Sequence, residues 1–328
     1  MEKNNNRSLI GLGLLLITAF VWGFGFVAQS IGADYVGAYT FLTMRNWISF
    51  FLLIPVIRLL DVYSKKKGQQ AAAEVSGETQ GNVPVKKGKK IWIAGLICGV
   101  FLFAGSATQQ IGIAYTTAAK AGFLTSMYVV IVPVIYAIIK RGIGAKIWIS
   151  VVLAVAGLYL LCIKDGFSLG KGDTIVLICA LFFALQILFV DKFVPEVDAV
   201  RLSQIQFLVV AILSTVFMFI LEKPTWDAIY AALPAILYAG VVSSGVGYTL
   251  QIVGQTMVTP TVGGITMSLE SVFAAFGGWI VLGELLTRRE FAGCAVMFAA
   301  IILAQIPIGR VFHKKQKPGL ESSEANSG

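Results

Sequence analysis

The sequence predicts an all-α integral membrane protein with ten transmembrane helices arranged as two inverted five-helix repeats. Its apolar composition, its ten separate apolar segments and a similarity between its two halves lead to this fold class. The chain has 328 residues, of which 57% are hydrophobic and 13% charged, with a mean hydropathy of +0.82. Soluble chains are about 45–50% apolar and about 25% charged. We therefore expect the chain to lie in a lipid bilayer.

Charges, turns and Gly/Pro clusters divide the chain into apolar segments of about the 20 residues that a membrane-crossing helix needs. The ten expected spans cover residues 8–31, 38–60, 91–114, 118–139, 146–163, 172–190, 200–221, 231–254, 262–283 and 289–309. Residues 61–90, which carry lysine clusters, are expected to form a disordered cytoplasmic loop, and residues 313–328 a disordered basic tail. The other connections are short, so successive spans should be antiparallel neighbours.

Lysine and arginine are distributed unevenly between the two sides of the membrane. With the N-terminus inside, most of the 26 basic residues fall in inner segments. This bias predicts a multi-pass protein of the cell (inner, cytoplasmic) membrane with both termini in the cytoplasm. The net charge of +9 then reflects topology, and we expect no nucleic-acid partner.

An internal repeat is visible at a constant shift of 141 residues. The coinciding pairs are Thr108/Thr249, Gln110/Gln251, Ile111/Ile252, Gly122/Gly263 and Thr125/Thr266. In addition, residues 19–23 align with residues 180–184. The expected repeats are residues 8–163 and 172–309, and five spans per repeat would make the second copy inverted. Inverted repeats with a midplane site are a transporter design, although apolar helices can also resemble one another by chance.

Charged side chains inside the spans are the first candidates for a site. A charge at the centre of a membrane helix costs roughly 2.5–3.5 kcal/mol, so Glu270 should face protein or water. We expect Arg45 and Lys120 to attract an anionic group, while Glu270 holds an amine or a proton. The alternatives are an Arg45–Glu270 ion pair without substrate, a Glu270 hydrogen bond to backbone, and a Lys120 side chain that extends to the outer surface.

Polar and aromatic side chains within or beside the spans complete the candidate site. Gln110 and Gln251 match across the repeat, and Tyr115 and Tyr248 could form part of an amphipathic pocket. Glutamines inside membranes also cross-link helices, and aromatic rings also fill the bundle or lie at the membrane interface. Both alternatives stay open at this point.

Several stretches resemble a known family. SLESVF at 268–273 with LGE at 282–284, and AYTTAAKAGFLTSMYVVIVPV at 114–134, resemble matching segments of EamA-type domains of the drug/metabolite transporter superfamily. Arg45 resembles the arginine that opens the second span in that family, whereas Ser271 replaces a proline found in many relatives. The resemblance implies a ten-helix inner-membrane carrier of small metabolites, often an exporter, that works by alternating access.

The motifs HExxH, GxSxG and GxxxxGK[ST] are absent from the sequence, and its single histidine is His313. The four cysteines have no metal-ligand spacing. We therefore expect no enzyme activity, cofactor or metal. The predicted function is secondary transport, namely export of a small organic metabolite, amino acid-like or otherwise amphipathic, across the cytoplasmic membrane by alternating access. The alternatives are a membrane sensor or scaffold that does not transport, and a passive pore. A small-molecule substrate and the lipid bilayer are the expected partners, and a homodimer is left open.

Overall fold

The computed structural model describes residues 2–74, 88–139, 145–162, 170–193, 196–255, 257–258, 266–267 and 269–305. The described residues are helical, with short turns and no strand among them. The expected tail at residues 313–328 lies outside the described residues. An all-helical architecture follows from the apolar segments, because a helix satisfies all of its backbone hydrogen bonds internally and can therefore enter lipid.

The helices of the first half end close to the predicted boundaries, with one exception. They are α1 (Glu2–Ala33), α2 (Ala38–Glu74), α3 (Lys89–Ile113), α4 (Ala118–Thr125), α5 (Tyr128–Ile139) and α6 (Ala145–Cys162). The exception is α2, which continues through the first part of the segment expected to be a disordered loop, residues 61–90. Residues 75–87 of that segment lie outside the described residues.

The second half contains an irregular helix. Its elements are α7 (Lys171–Phe193), α8 (Ala199–Leu221), α9 (Trp226–Leu237), a π-helical segment (Tyr238–Gly247), α10 (Tyr248–Gln255), α11 (Glu270–Leu282) and α12 (Arg288–Gln305). The π-helical segment joins α9 and α10 directly, so these three elements follow one another as a continuous helix. Its wider turns place a break in hydrogen-bond register inside an expected span.

Six of the described helices are long and apolar enough to cross a membrane. Their apolar parts are Ser8–Ala33, Ala38–Tyr63, Lys89–Ile113, Lys171–Val190, Val200–Leu221 and Trp226–Gln251. Shorter apolar helices lie at Ala118–Val132, Trp148–Gly157 and Glu270–Leu282. The predicted class of an all-α, multi-pass membrane protein is therefore confirmed.

The distribution of polar and apolar side chains also fits a bilayer. Large apolar side chains are exposed on many helices, for example Phe51, Trp92, Phe219 and Ile280. Polar side chains are buried between helices, among them Ser49, Gln110, Ser214 and Ser271. Lipid tails solvate the apolar exterior, whereas polar groups find partners inside the bundle.

The helices of the two halves pack against each other in matching pairs. Helix α1 packs along α9, the π-helical segment and α10, and α7 packs along α3 in the same way. Helix α1 also contacts α11, as α7 contacts α4 and α5. Between them, α2 packs on α8, α4 on α11 and α6 on α12. Each half therefore completes its core against the other half.

Candidate functional site

Two interrupted helices meet where the halves pack. The expected span at 118–139 is not continuous, because a turn at Ser126 and Met127 separates α4 from α5. Helix α11 begins at Glu270 after a turn at Leu269, so Glu270 does not lie inside a continuous helix as expected. The first turn of a helix favours a carboxylate electrostatically.

Glu270 is buried, with only 5% of its surface exposed. The hydroxyl of Tyr128 donates a hydrogen bond to its Oε1 at 3.1 Å, and the Ser126 hydroxyl donates to the same oxygen at 3.5 Å. Both donors come from the break between α4 and α5. The carboxylate therefore connects α11 to the turn and helix that follow α4. Both hydroxyls contact Oε1, and neither contacts Oε2.

Arg45 extends from α2 into the interior. Its Nε atom is buried and has no hydrogen-bond partner among the described residues. The ion pairs found in the described parts of the chain do not include Arg45. The alternative of a direct Arg45–Glu270 ion pair is therefore not what the structure has. A buried guanidinium without a counterion is unfavourable, so this group is available for an anion.

Tyr248, the first residue of α10, lies within electrostatic range of both charges. Its phenol interacts electrostatically with both Arg45 and Glu270. The Trp22 ring lies 5.0 Å from the Tyr248 ring at an interplanar angle of 55°, and the Phe207 ring lies 5.2 Å away at 86°. Tyr248 is thus held between aromatic rings of α1 and α8.

The two glutamines that match across the repeat have different surroundings. Gln110 is buried on α3, and its Nε2 donates to the Gln29 backbone carbonyl of α1 at 2.9 Å. This is the helix cross-link that was left open as an alternative, although the Gln110 Oε1 has no partner within the described residues. Gln251 is half-buried on α10, one turn after Tyr248.

Lys120 is buried, so the alternative in which its side chain extends to the outer surface is not what the structure has. Its Nζ forms a 2.9 Å ion pair with Glu290 Oε1, and the two side chains are only 9% and 15% exposed. Glu290 also accepts hydrogen bonds from the Thr287 backbone and hydroxyl, both at 2.9 Å. Lys120 therefore joins α4 to the start of α12.

Tyr115 is placed away from the interior residues. It is 58% exposed in the turn after α3, and the Lys171 ammonium lies 4.3 Å above its ring. The cation–π contact connects the ends of α3 and α7. The structure therefore brings Glu270, Arg45 and Tyr248 together and leaves Tyr115 at one end of the bundle.

Sequence reasoning missed residues that complete the interior group. Tyr128 and Ser126 are neutral and lie in an apolar segment, so they carried no charge signal. Trp22 is an uncharged residue of an apolar segment, yet its indole N–H donates to the Ser243 carbonyl at 2.9 Å. The available sequence signal was Gly247, because a glycine leaves space for a large ring on a neighbouring helix. In the structure, a Cβ at Gly247 would lie 2.5 Å from the indole nitrogen.

Two carboxylates bind helix N-termini across the halves. Gly283 adopts a left-handed φ of 67° after α11, which glycine does without strain. The turn places Glu284 against α4, where it accepts from the N–H groups of Ala118 at 2.9 Å and Ala119 at 3.3 Å. At the end of α8, Glu222 accepts from the α2 backbone at Tyr39 and Thr40, at 2.9 and 2.8 Å.

The interior group has the chemistry to recognise a small solute. No cluster of three or more His, Cys, Asp or Glu side chains that could hold a metal occurs among the described residues. A guanidinium, a carboxylate and two phenols instead provide complementary charges and hydrogen bonds beside aromatic surface. Such an arrangement can bind a small solute that has an anionic end and a hydrogen-bond-donating end.

Comparison with known proteins identifies the family. The model of the EamA-like transporter family matches residues 9–163 and again 170–305. An uncharacterized transporter of Archaeoglobus fulgidus is 28% identical over 303 residues, covering 92% of this chain and 87% of that protein. The uncharacterized transporter YoaV of Bacillus subtilis is 21% identical over 309 residues, covering 91% and 97%.

The fold is also known from experiment. A solved structure, titled only as the crystal structure of a protein, superposes with a TM-score of 0.59 at 14% identity and covers 91% of this chain and 97% of that chain. The family match spans nearly the whole sequence and the helices are those of a multi-pass membrane protein. The chain therefore belongs to the EamA-like transporter family of the drug/metabolite transporter superfamily.

Proposed function

We propose that the protein is a secondary carrier that moves a small amphipathic metabolite across the cell membrane by alternating access. The observation that carries this proposal is that Arg45 and Glu270 each lie within electrostatic range of Tyr248, with the Arg45 Nε buried and unpartnered among the described residues. An anionic group on the solute would neutralise Arg45, and an amine or hydroxyl would bind Glu270. An amino acid-like solute has both groups.

The proposed topology has ten spans in two inverted repeats, residues 8–163 and 172–309. Three observations support it: the helix pairs match when the halves are exchanged, the family model matches twice, and a turn precedes both α5 and α11. Interrupted helices near the midplane are where carriers of this type bind solutes.

The contacts at the helix ends support alternating crossings. With the N-terminus inside, Glu222 with α2, Glu284 with α4 and Lys120 with Glu290 all fall on the outer face. The ion pairs Arg201–Asp61 and Lys90–Glu196 fall on the inner face. Lysine and arginine bias then favours cytoplasmic termini and the cytoplasmic membrane.

The same contacts suggest how the halves could rock. On the outer face, partly buried hydrogen bonds and the Lys120–Glu290 pair join the halves, whereas the ion pairs of the inner face are more exposed. Exposed pairs contribute about 0–1 kcal/mol each, so the inner face is easier to separate. We assign export as the direction on the family resemblance alone.

Within this proposal, the candidate residues have unequal roles. Glu270, Arg45 and Tyr248 bind the solute, and Gln251 follows them on α10. Gln110 joins α3 to α1, as its bond to the Gln29 carbonyl supports. Lys120 and Tyr115 hold the outer ends of helices.

The test is counterflow in proteoliposomes, with the solute chosen by a ligand thermal-shift screen over amino acids, nucleosides, phosphosugars and cationic drugs. A carrier gives saturable counterflow, a pore gives flux that does not saturate, and a scaffold moves nothing. Arg45→Gln and Glu270→Gln should each abolish counterflow while the protein stays folded, and Lys192→Gln on the exposed face of α7 is the matched control. Full activity in both interior variants would refute the assignment of the site.

A further inference from the structure

We propose that Trp22 is a positioning residue that holds the Tyr248 phenol against Arg45 and Glu270. Its indole N–H fixes the junction between the π-helical segment and α10, and its ring packs on the Tyr248 ring. The inference rests on the proposed function, because it assigns a role in the same binding site. Trp22 acts through Tyr248 and through backbone, so no contact of its own with the solute is required.

The hydrogen-bond register changes at the junction between the π-helical segment and α10. In a continuing π-helix the Tyr248 N–H would donate to the Ser243 carbonyl, five residues back. It donates instead to the Ser244 carbonyl, as in an α-helix. The Trp22 indole N–H donates to the Ser243 carbonyl at 2.9 Å. A side chain of α1 thus supplies a donor at the carbonyl where the register changes.

The Trp22 indole lies close against Gly247 at the end of the π-helical segment. A Cβ at Gly247 would lie 2.5 Å from the indole nitrogen, so any larger residue would displace the ring. Ser49 of α2 donates to the Gly240 carbonyl at 3.0 Å near the other end of the π-helical segment. The irregular segment is therefore held by donors from α1 and α2, the helix that carries Arg45.

The two halves of the molecule differ at the position of Trp22. The repeat alignment places Phe183 of α7 at the position of Trp22, and Phe183 packs against α3, where a Cβ at Gly105 would lie 2.9 Å from its ring. Phenylalanine has no N–H to donate, and α3 is a regular α-helix from Lys89 to Ile113. The half with the indole donor has the π-helical segment, and the half without it does not.

The test compares Trp22→Phe with Phe183→Leu, which removes the ring from the corresponding notch. Loss of a hydrogen bond of ordinary strength predicts about a fivefold rise in KM for Trp22→Phe, with Vmax within about twofold of wild type. Phe183→Leu should leave KM within about twofold. In a Tyr248→Phe background, Trp22→Phe should add no further change, because its effect passes through Tyr248.

A second variant and a ligand-free measurement keep the inference testable if Trp22→Phe folds poorly. Gly247→Ala displaces the intact indole and should raise KM similarly. Hydrogen–deuterium exchange of peptides covering residues 238–255 should be faster in both variants without any solute. An unchanged KM in folded Trp22→Phe, or an equal effect in the Tyr248→Phe background, overturns the positioning role. If the wild-type protein shows no saturable transport, the proposed function is overturned instead. If hydrogen–deuterium exchange of residues 238–255 is also unchanged in the variants, the proposed support of this segment by the Trp22 hydrogen bond is overturned as well.

Discussion

Replacing Lys120 with methionine should destabilise the protein by about 3 kcal/mol, because it leaves Glu290 without its counterion. The ammonium and carboxylate are 2.9 Å apart, and the side chains are only 9% and 15% exposed. Breaking a buried ion pair generally costs about 3–5 kcal/mol. Glu290 keeps its hydrogen bonds from Thr287, which places the expected cost at the lower end of that range.

Thermal unfolding in detergent, followed by tryptophan fluorescence, measures this cost. At roughly 2 °C per kcal/mol for a chain of this size, Lys120→Met should lower Tm by about 6 °C. The double variant Lys120→Met/Glu290→Leu should recover most of the loss, since an apolar pair replaces the ion pair without an unpaired charge. Arg201→Met is the control: its partner Asp61 is 49% exposed, so the loss should be at most about 1 kcal/mol.

Two results would contradict this reasoning. A Lys120→Met shift no larger than that of Arg201→Met would mean that the ion pair does not stabilise the fold. A double variant as unstable as the single variant would mean that the packing of the lysine stem matters more than its charge. The double variant should also transport at the wild-type rate. A stable double variant that has lost transport would instead place Lys120 in the solute site.

Three further predictions concern single contacts. Glu284→Ala should lower stability by about 1 kcal/mol, the usual cost of losing a helix N-cap, with a smaller loss for Glu284→Gln; equal thermal unfolding of all three proteins would contradict it. Gly23→Val should lower the free energy of unfolding by about 1–3 kcal/mol through overpacking, because a Cβ there would lie 2.8 Å from the Glu270 carbonyl oxygen. Gly13→Val should not lower it, because a Cβ at Gly13 would have nothing within 4 Å. Tyr128→Phe should weaken solute binding about fivefold by removing one donor to the carboxylate, and Tyr115→Phe should not; equal affinities in a titration would exclude the Tyr128 contact.

The sequence was sufficient for the positions of the helices, because an apolar segment bounded by charges determines where a membrane helix can lie. The beginnings of α2 at Ala38 and of α4 at Ala118 coincide with the predicted boundaries. Helix α2 continued further than expected because alanine and lysine are good helix formers outside the membrane as well. Polarity alone therefore did not distinguish an extended helix from a loop.

The interior site was predictable only in part. Glu270 and Arg45 could be singled out, since a charge in an apolar segment is costly and visible in the sequence. Their partners depend on which helices meet, so Tyr128 and Trp22 required the tertiary structure. Lys120 was misjudged because its counterion lies in a different span, and the family resemblance does not report such a pairing.

The helix irregularities were also beyond sequence reasoning. A break after Thr125 or a π-helical segment at Tyr238–Gly247 depends on donors from neighbouring helices rather than on local propensity. Small residues in these segments permit close helix packing, but they do not indicate a change of register. The carboxylate of Glu284 could have been suspected from the glycine before it, which commonly ends a helix.

The central claim is that Arg45 and Glu270 belong to one solute site, and the dissociation constant of the transported solute tests it most directly. Titration of purified protein in detergent gives this constant independently of transport. Loss of a hydrogen bond to a charged group predicts about 10- to 150-fold weaker binding for Arg45→Gln and for Glu270→Gln, with unchanged affinity for Lys192→Gln. Wild-type affinity in both interior variants, with the fold intact, would contradict the account.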